Sequence, residues 1–319
     1  MSDGACLLDR TADLRSDAGL IERLRADPGT RAVVVREGRV RLESDGGSAG
    51  VVRVPADGVG DADWALLGRD SDGTPLLLAS VTTQPDSIDA APEESWYGLR
   101  DAGGRLQASE LELFVTAIAL GRWLADSRFC PSCGAELELR QSGWSRWCAA
   151  CEREHFPRTD PAVIVAVESP DGERLLLGAN ATWRGSMYSC FAGFVEAGES
   201  LERTVHRELF EEAGVRLDSI RYVASQPWPY PRSLMIGFRA VAVDEHTRAD
   251  GEEIIDVRWL SREEIGSALA GEGPVGLPGE ASISRQLIRD WYEERPAGAA
   301  DTAPGGSASV ALSAEGETT

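Results

Sequence analysis

The sequence predicts an α+β chain in three parts: a mostly β amino-terminal domain, a small four-cysteine metal module, and a carboxy-terminal mixed sheet covered by helices. Three observations predict it. Short apolar stretches broken by Gly, Asp and Pro occupy residues 31–100; two Cys-x2-Cys pairs follow; and beyond Arg158 strand-like runs interleave with helical patterns. At 319 residues and 42% hydrophobic content, the chain is long enough for two buried cores.

Residues 1–125 form the first predicted domain, with strands at 31–42, 51–54, 64–68, 75–80 and 96–100 and a flexible hairpin or loop at Glu43–Gly50. Ser109 to Ala125 has helical periodicity, with Leu111, Val115, Ile118 and Trp123 directed at a core. The metal module spans 126–157, with Trp144 and Trp147 as packing residues. Within it, Cys130-x2-Cys133 and Cys148-x2-Cys151 are separated by fourteen residues, the spacing of paired metal knuckles. Four thiolates leave no position for water, so a bound Zn2+ is structural, supplying folding energy to a segment too small for its own core. A redox role is the alternative for these cysteines. Cys6 lies near a loose terminus, and Cys190, in an apolar run, reads as core.

The third domain is predicted at 158–295. Val163–Val167 and Arg174–Leu177 read as strands joined by a Pro170-Asp-Gly172 turn, with further strands at 220–225, 234–243 and 254–260. Ser261 and Glu264 form a predicted capping box for a helix, and Ser282–Glu294 a final helix. Residues 296–319 have too little apolar content to pack and are predicted disordered. No internal repeat of fixed period is apparent. The net charge of −21 excludes a broad, nonspecific grip on nucleic acid or anionic membrane, while leaving room for a local cationic pocket. The start lacks a positive n-region, and the apolar stretch Leu111–Ala125 is too short to span a bilayer, which predicts a cytoplasmic protein with no membrane partner.

The chemistry concentrates between Gly193 and Val215, where Glu199, Arg207, Glu208, Glu211, Glu212 and Gly214 stand at fixed offsets. With each helical residue turning about 100°, Glu208, Glu211 and Glu212 share one face. Like charges so close become tolerable when a hard cation such as Mg2+ or Mn2+ neutralises them. Arg207 precedes Glu211 by four residues and can hold that carboxylate in orientation. Gly193 and Gly198 are read as turn glycines, Gly214 as the helix stop, and Leu209 as its apolar anchor. A solvated acidic helix face is the plain alternative. His155, His206 and His246 read as structural or solvent-facing. Downstream, Ser225-Gln-Pro-Trp-Pro-Tyr-Pro-Arg-Ser233 is stiffened by its prolines, which would preorganise Trp228 and Tyr230 as an aromatic wall for a flat base; a rigid loop with buried aromatics is the alternative.

The pattern G-x5-E-x7-R-E-U-x-E-E-x-G-U, with U apolar, resembles the Nudix hydrolase signature at every specified position. With the cysteine segment before it and the Pro-Trp-Pro element after it, the chain resembles the NADH pyrophosphatase family, also known for removing NAD caps from RNA. The resemblance covers residues 100–294 well and the first hundred in outline. It implies an amino-terminal domain, a zinc ribbon and a Nudix α/β/α sandwich. The implied reaction is hydrolysis of NAD(H) to AMP and NMN(H), with Zn2+ structural and Mg2+ or Mn2+ catalytic. The implied partners are NAD(H) and NAD-capped RNA, in a homodimer. Carried over by position, the metal ligands would be the Ala192 carbonyl, Glu208, Glu212 and Glu253, with Glu211 in the cluster and favoured as base. Phe156, Phe194, Gln226, Pro227, Trp228, Pro229, Tyr230, Pro231, Arg232, Ser233 and the Ser284 backbone would contact substrate. Tyr230 replaces a usual Phe, Arg232 a frequent Gln, and Ser284 a frequent Ala; none removes a metal ligand. Alternatives are a pyrophosphatase for ADP-ribose or dinucleoside polyphosphates, and a non-catalytic nucleotide-sensing or RNA-associated scaffold.

Overall fold

One strand-pairing scheme occurs twice in the chain. The computed structural model describes residues 8–45, 48–81, 95–183 and 186–294; the predicted tail at 296–319 and Cys6 lie outside them. The amino-terminal part runs α1 (Leu20–Ala26), β1 (Arg31–Arg36), β2 (Arg39–Asp45), β3 (Ser48–Val51), β4 (Val54–Pro55), β5 (Asp63–Arg69), β6 (Pro75–Val81), β7 (Trp96–Tyr97), α2 (Leu99–Ala102) and α3 (Ala108–Asp126). A three-stranded meander follows, β8 (Glu138–Arg140), β9 (Ser145–Cys148) and β10 (Arg153–His155). Next come β11 (Asp160–Glu168), β12 (Arg174–Asn180), β13 (Phe191–Phe194), α4 (Leu201–Ala213), β14 (Leu217–Trp228), β15 (Ser233–Ala242), β16 (Ile254–Ser261), α5 (Arg262–Leu269) and α6 (Ile283–Glu293).

In the first sheet β1 lies antiparallel to β2 and β4 and parallel to β6, β5 flanks β6, and β7 flanks β2. In the second, β11 has the same relations to β12, β13 and β15, β14 flanks β15, and β16 flanks β12. The repetition is one of topology, with loop lengths and side chains too divergent to leave a sequence period. The decisive difference falls between the third and fourth corresponding strands. There the second sheet inserts α4, whereas the first has only a 3-10 turn, Ala56–Gly58.

Both sheets are mixed and both are covered. Alternate residues of β11 enter separate cores: Val163, Val165 and Val167 pack under α4, while Ile164 and Ala166 pack under α5 and α6. Burial on both faces is why the strand reads as an unbroken apolar run. β1 behaves alike, with Val33 and Val35 on the α3 side and Ala32 and Val34 on the α1 side.

The structure corrects several expectations. The stretch 31–42 is two strands, because Glu37 (φ 51°) and Gly38 (φ 69°) form a left-handed two-residue turn suited to a hairpin. Residues 96–100 hold only a two-residue strand before α2. In α3, Ile118 is buried as expected, but Leu113, Phe114, Ala117 and Leu124 complete the buried face. Leu111, Val115 and Trp123 pack against the same core as expected, at half burial, and Val115 and Trp123 also line a groove toward the last domain. The capping box holds: the Ser261 amide donates to Glu264 Oε2 at 2.8 Å and the Glu264 amide to Ser261 Oγ at 3.3 Å.

The small meander leans on the first domain. Trp144 Nε1 donates to the Leu66 carbonyl at 2.6 Å, and buried Arg146 donates to the Leu124 carbonyl at 2.8 Å and Asp63 at 3.1 Å. Trp147, by contrast, is half-buried beneath Arg140. The Sγ atoms of Cys130, Cys133, Cys148 and Cys151 lie within 4.8 Å of one another, with separations of 3.5 Å for Cys133–Cys148, 3.6 Å for Cys130–Cys151 and 3.9 Å for Cys133–Cys151. A zinc–sulfur bond of about 2.3 Å puts tetrahedral sulfurs roughly 3.8 Å apart, so these cysteines fit a zinc site without rearrangement. Cys133→Ser is expected to abolish stoichiometric zinc and lower thermal stability; metal analysis that still finds about one zinc per chain would reject the four-thiolate site.

Candidate active site

The site is built on α4 and the edge of β13. Ser200 caps the helix by accepting from the Arg203 amide, and Gly214 ends it in the left-handed region (φ 69°), its N–H reaching the Leu209 and Phe210 carbonyls. Val205, Leu209 and Ala213 bury one stripe in the core, and Glu208 and Glu212, at the same spacing, are carried inward beside them. Glu208 is 9% and Glu212 5% exposed. Gly193 has a role other than the predicted turn: it lies within β13, where any Cβ would overlap the Glu208 carboxyl group. Only glycine lets that carboxylate press against the strand. Gly198, with φ 95°, does serve the turn.

Arg207 organises the acids more widely than the expected pairing with Glu211. Its Nε and Nη2 hold both oxygens of Glu199 at 2.8 Å, Nη1 reaches Glu208 at 2.9 Å and Glu211 at 3.1 Å, and Nη2 also donates to the Phe194 carbonyl at 3.0 Å. Glu199 is therefore the residue that orients the arginine. Glu211 is the exposed member of the cluster.

A cavity of about 770 Å³ opens beside this cluster, and Glu212, Glu253, Ala192, Gln226, Trp228 and Ser284 line it. Glu253 precedes β16 in a bend shaped by Asp250, whose carboxylate accepts from the amides of Glu252, Glu253 and Ile254. Asn180 donates to Glu253 at 3.4 Å. Neither Asp250 nor Asn180 was marked by the sequence.

Three family models cover this architecture: the NADH pyrophosphatase-like rudimentary NUDIX domain over residues 29–123, the NADH pyrophosphatase zinc ribbon domain over 125–156, and the NUDIX domain over 158–276. The NAD-capped RNA hydrolase NudC of Mycobacterium bovis is 38% identical over 278 residues, which is 84% of this chain and 85% of that protein. The chain belongs to the NADH pyrophosphatase family of Nudix hydrolases. The human NAD-capped RNA hydrolase NUDT12 is 38% identical over 203 residues, 60% of this chain and 44% of that protein. A Nudix hydrolase structure from Nitrosomonas europaea aligns at 24% identity and a TM-score of 0.36, covering 47% of this chain and 98% of that one.

Within this Nudix framework the electrostatics single out Glu212. Burial, followed by the charges of Glu208, Glu253, Asp250 and Glu211, pushes its carboxyl up to about 8, and its Oε2 is buried with no hydrogen-bond partner. Burial also raises Glu208, against the pull of Arg207. Glu199 goes the other way, held down to about 2 by its hydrogen bonds to Arg207. An orphaned carboxylate oxygen among four other acids is the donor set a hard divalent cation takes, so these residues fit Mg2+ or Mn2+.

The aromatic element departs from its expected role. β14 runs on through Trp228, and Trp228 lines the large cavity, but Tyr230 turns to the amino-terminal domain. Its ring lies under the guanidinium groups of Arg122 (4.9 Å) and Arg100 (5.4 Å), and its oxygen accepts from the Leu99 amide at 2.5 Å. Proline fixes the backbone as foreseen, yet only one of the two rings faces the cavity; the other clasps the domains together. Pro227, Pro229, Pro231, Arg232 and Ser233 line a separate 270 Å³ cavity, with Trp228 shared between the two, and Arg232 pairs with Asp160 at 2.9 Å. Gln226 is tied to the start of α6 through the Ala281 carbonyl (2.8 Å) and Ile283 amide (2.9 Å). The Ser284 hydroxyl turns inward to Ser189 Oγ (2.7 Å) and the Cys190 amide (3.1 Å). Phe156 and Phe194 are exposed and stand outside the cavity lining.

The folded-state value of Glu212 is raised above that of the unfolded chain, so its contribution is fully favourable below the ordinary carboxylate range and is lost as pH rises toward about 8. With Mg2+ and Mn2+ removed and zinc retained, thermal stability is expected to decline from pH 5 to pH 8 (a range of about three units), and Glu212→Gln to flatten that decline. Identical pH profiles for the two proteins would reject the desolvated state of Glu212.

Proposed function

We propose that the chain hydrolyses the pyrophosphate bond of NAD(H), releasing AMP and NMN(H), in keeping with its NADH pyrophosphatase-type domains, and that it removes NAD caps from RNA, the activity named for its relatives NudC and NUDT12. The observation that carries this reading is the buried, partnerless Glu212 Oε2 sharing one cavity with Glu253 and Trp228. When bound, Mg2+ or Mn2+ neutralises the phosphoanhydride and acidifies an attacking water. Glu208 and Glu212 would hold the ion through buried carboxylate oxygens, with Glu253 from the bend before β16 and the Ala192 carbonyl of β13 as further oxygen donors. Arg207 holds Glu208 and Glu211 through one oxygen each, which steadies both carboxylates and leaves each a second oxygen. Glu211, exposed to water and steadied through Oε2, takes the proton of the attacking water at Oε1. Trp228 offers a flat face to a base, stiffened by Pro227 and buried Pro229. Hydrolysis in the cytoplasm by a homodimer completes the reading; no helix among the described residues is long and apolar enough to cross a membrane.

Glu212→Gln keeps the side chain's volume and removes its charge. Its kcat/KM for NADH with Mg2+ or Mn2+ is expected to fall by about 100-fold or more, with zinc content unchanged. Rates on NADH, NAD, ADP-ribose and NAD-capped RNA under one set of conditions, with products identified, test the substrate. Unchanged turnover in the variant, or NADH bound by the native chain without release of AMP, would sink the reading.

A further inference from the structure

The large cavity has a wall that the chemistry at Glu212 leaves unexplained. It is contributed by the amino-terminal domain through Arg100, Asp101, Gly104 and Arg105, at and just beyond α2. The approach is close: a Cβ placed on Gly103 would lie 2.5 Å from the Cβ of Ala281, itself part of the lining. Each arginine rests on an aromatic ring, Arg100 at 5.4 Å from the Tyr230 centroid and Arg105 at 5.6 Å from that of Tyr97. A guanidinium within cation–π range of a ring still carries N–H donors for an anion. Neither arginine forms an ion pair with a carboxylate among the described residues. Of the acids on the same wall, Glu280 is already neutralised by Arg285 at 2.7 Å and by Arg289, which leaves Asp101 against two cations.

A chain of net charge −21 has thus placed two guanidinium groups without an ion pair among the described residues in the cavity that Glu212 and Glu253 line. The divalent cation that the carboxylates around Glu212 would hold meets the pyrophosphate, so the arginines answer to a second anion. We propose that Arg100 and Arg105 form a subsite for a phosphate ester on the adenosine ribose of the substrate, beyond the scissile pyrophosphate. Two sources share that chemistry: the 3′-phosphodiester that continues an NAD cap into RNA, and the 2′-phosphate of NADP(H). The proposal rests on the function assigned above and adds a specificity determinant from the domain that lacks the acid helix.

The test uses the full chain with zinc and the variants Arg100→Gln, Arg105→Gln and their combination, on NADH, NADPH and an NAD-capped trinucleotide. For the double variant, kcat/KM on NADH is expected to stay within about threefold, while that on one or both phosphate-bearing substrates falls about tenfold or more, mainly through KM. Loss on NADPH alone assigns the 2′ source, loss on the capped trinucleotide alone the 3′ source, and either supports the subsite. Equal loss on all three substrates, or loss on none, overturns it. Calorimetry without Mg2+ or Mn2+ separates this from failure of the hydrolase reading. The native chain is expected to bind adenosine 2′,5′- or 3′,5′-bisphosphate more tightly than AMP, and the double variant to lose that preference. A preference kept by the double variant, or absent from the native chain, overturns the subsite whether or not NADH is hydrolysed; native chain that releases no AMP from NADH defeats the hydrolase reading on its own.

Discussion

Placing two carboxylates of α4 where water cannot reach them freely is the constraint on which the site depends. Glu208 and Glu212 fall on the helix stripe that also carries Val205 and Leu209, so the packing that buries the apolar residues carries the acids inward with them. Their repulsion is unfavourable to folding and is retained because a dication converts it into affinity. Much of the surrounding structure answers this demand. Gly193 gives up its side chain to admit Glu208, Arg207 threads the acids together, and Glu199, strongly acidic beside that arginine, keeps the thread taut.

The duplicated topology shows the same constraint in its absence. The first sheet reproduces the strand pairings of the second but connects β4 to β5 without a helix, so the described residues have no counterpart there of the acid helix α4. What it keeps is a doubly covered sheet and, at α2 and α3, a surface that packs against the second domain. Catalytic and supporting roles have separated between two copies of one architecture, and the cysteine module joins them while leaning on the first through Trp144 and Arg146.

How legible this was in the sequence depended on the range of the interactions. Local ones were readable: the Ser261–Glu264 cap, the Gly214 stop and the spacing of the acids on α4 all follow from helix geometry within a few turns. The cysteine pairs were readable because tetrahedral thiolate binding tolerates few spacings. Long-range contacts were not. Nothing in Pro-Trp-Pro-Tyr-Pro says that its two rings part company, because Tyr230 takes its direction from Leu99, Arg100 and Arg122 more than a hundred positions earlier. Gly193 was read as a turn because its true neighbour, Glu208, arrives through folding.

Trp228 belongs to two cavities at once, with Tyr230 edge-on to it at 5.7 Å and the core of the first domain behind. A base resting on that indole would press, through one thickness of side chains, on hydrophobic residues of the neighbouring domain. The wall of this cavity at Trp228 is therefore a shared partition, and its stiffness is set by how well the first domain is packed. Losing order around α2 would blur the position of the indole without touching a single acid, so fidelity of recognition and integrity of the non-catalytic half are one mechanical property.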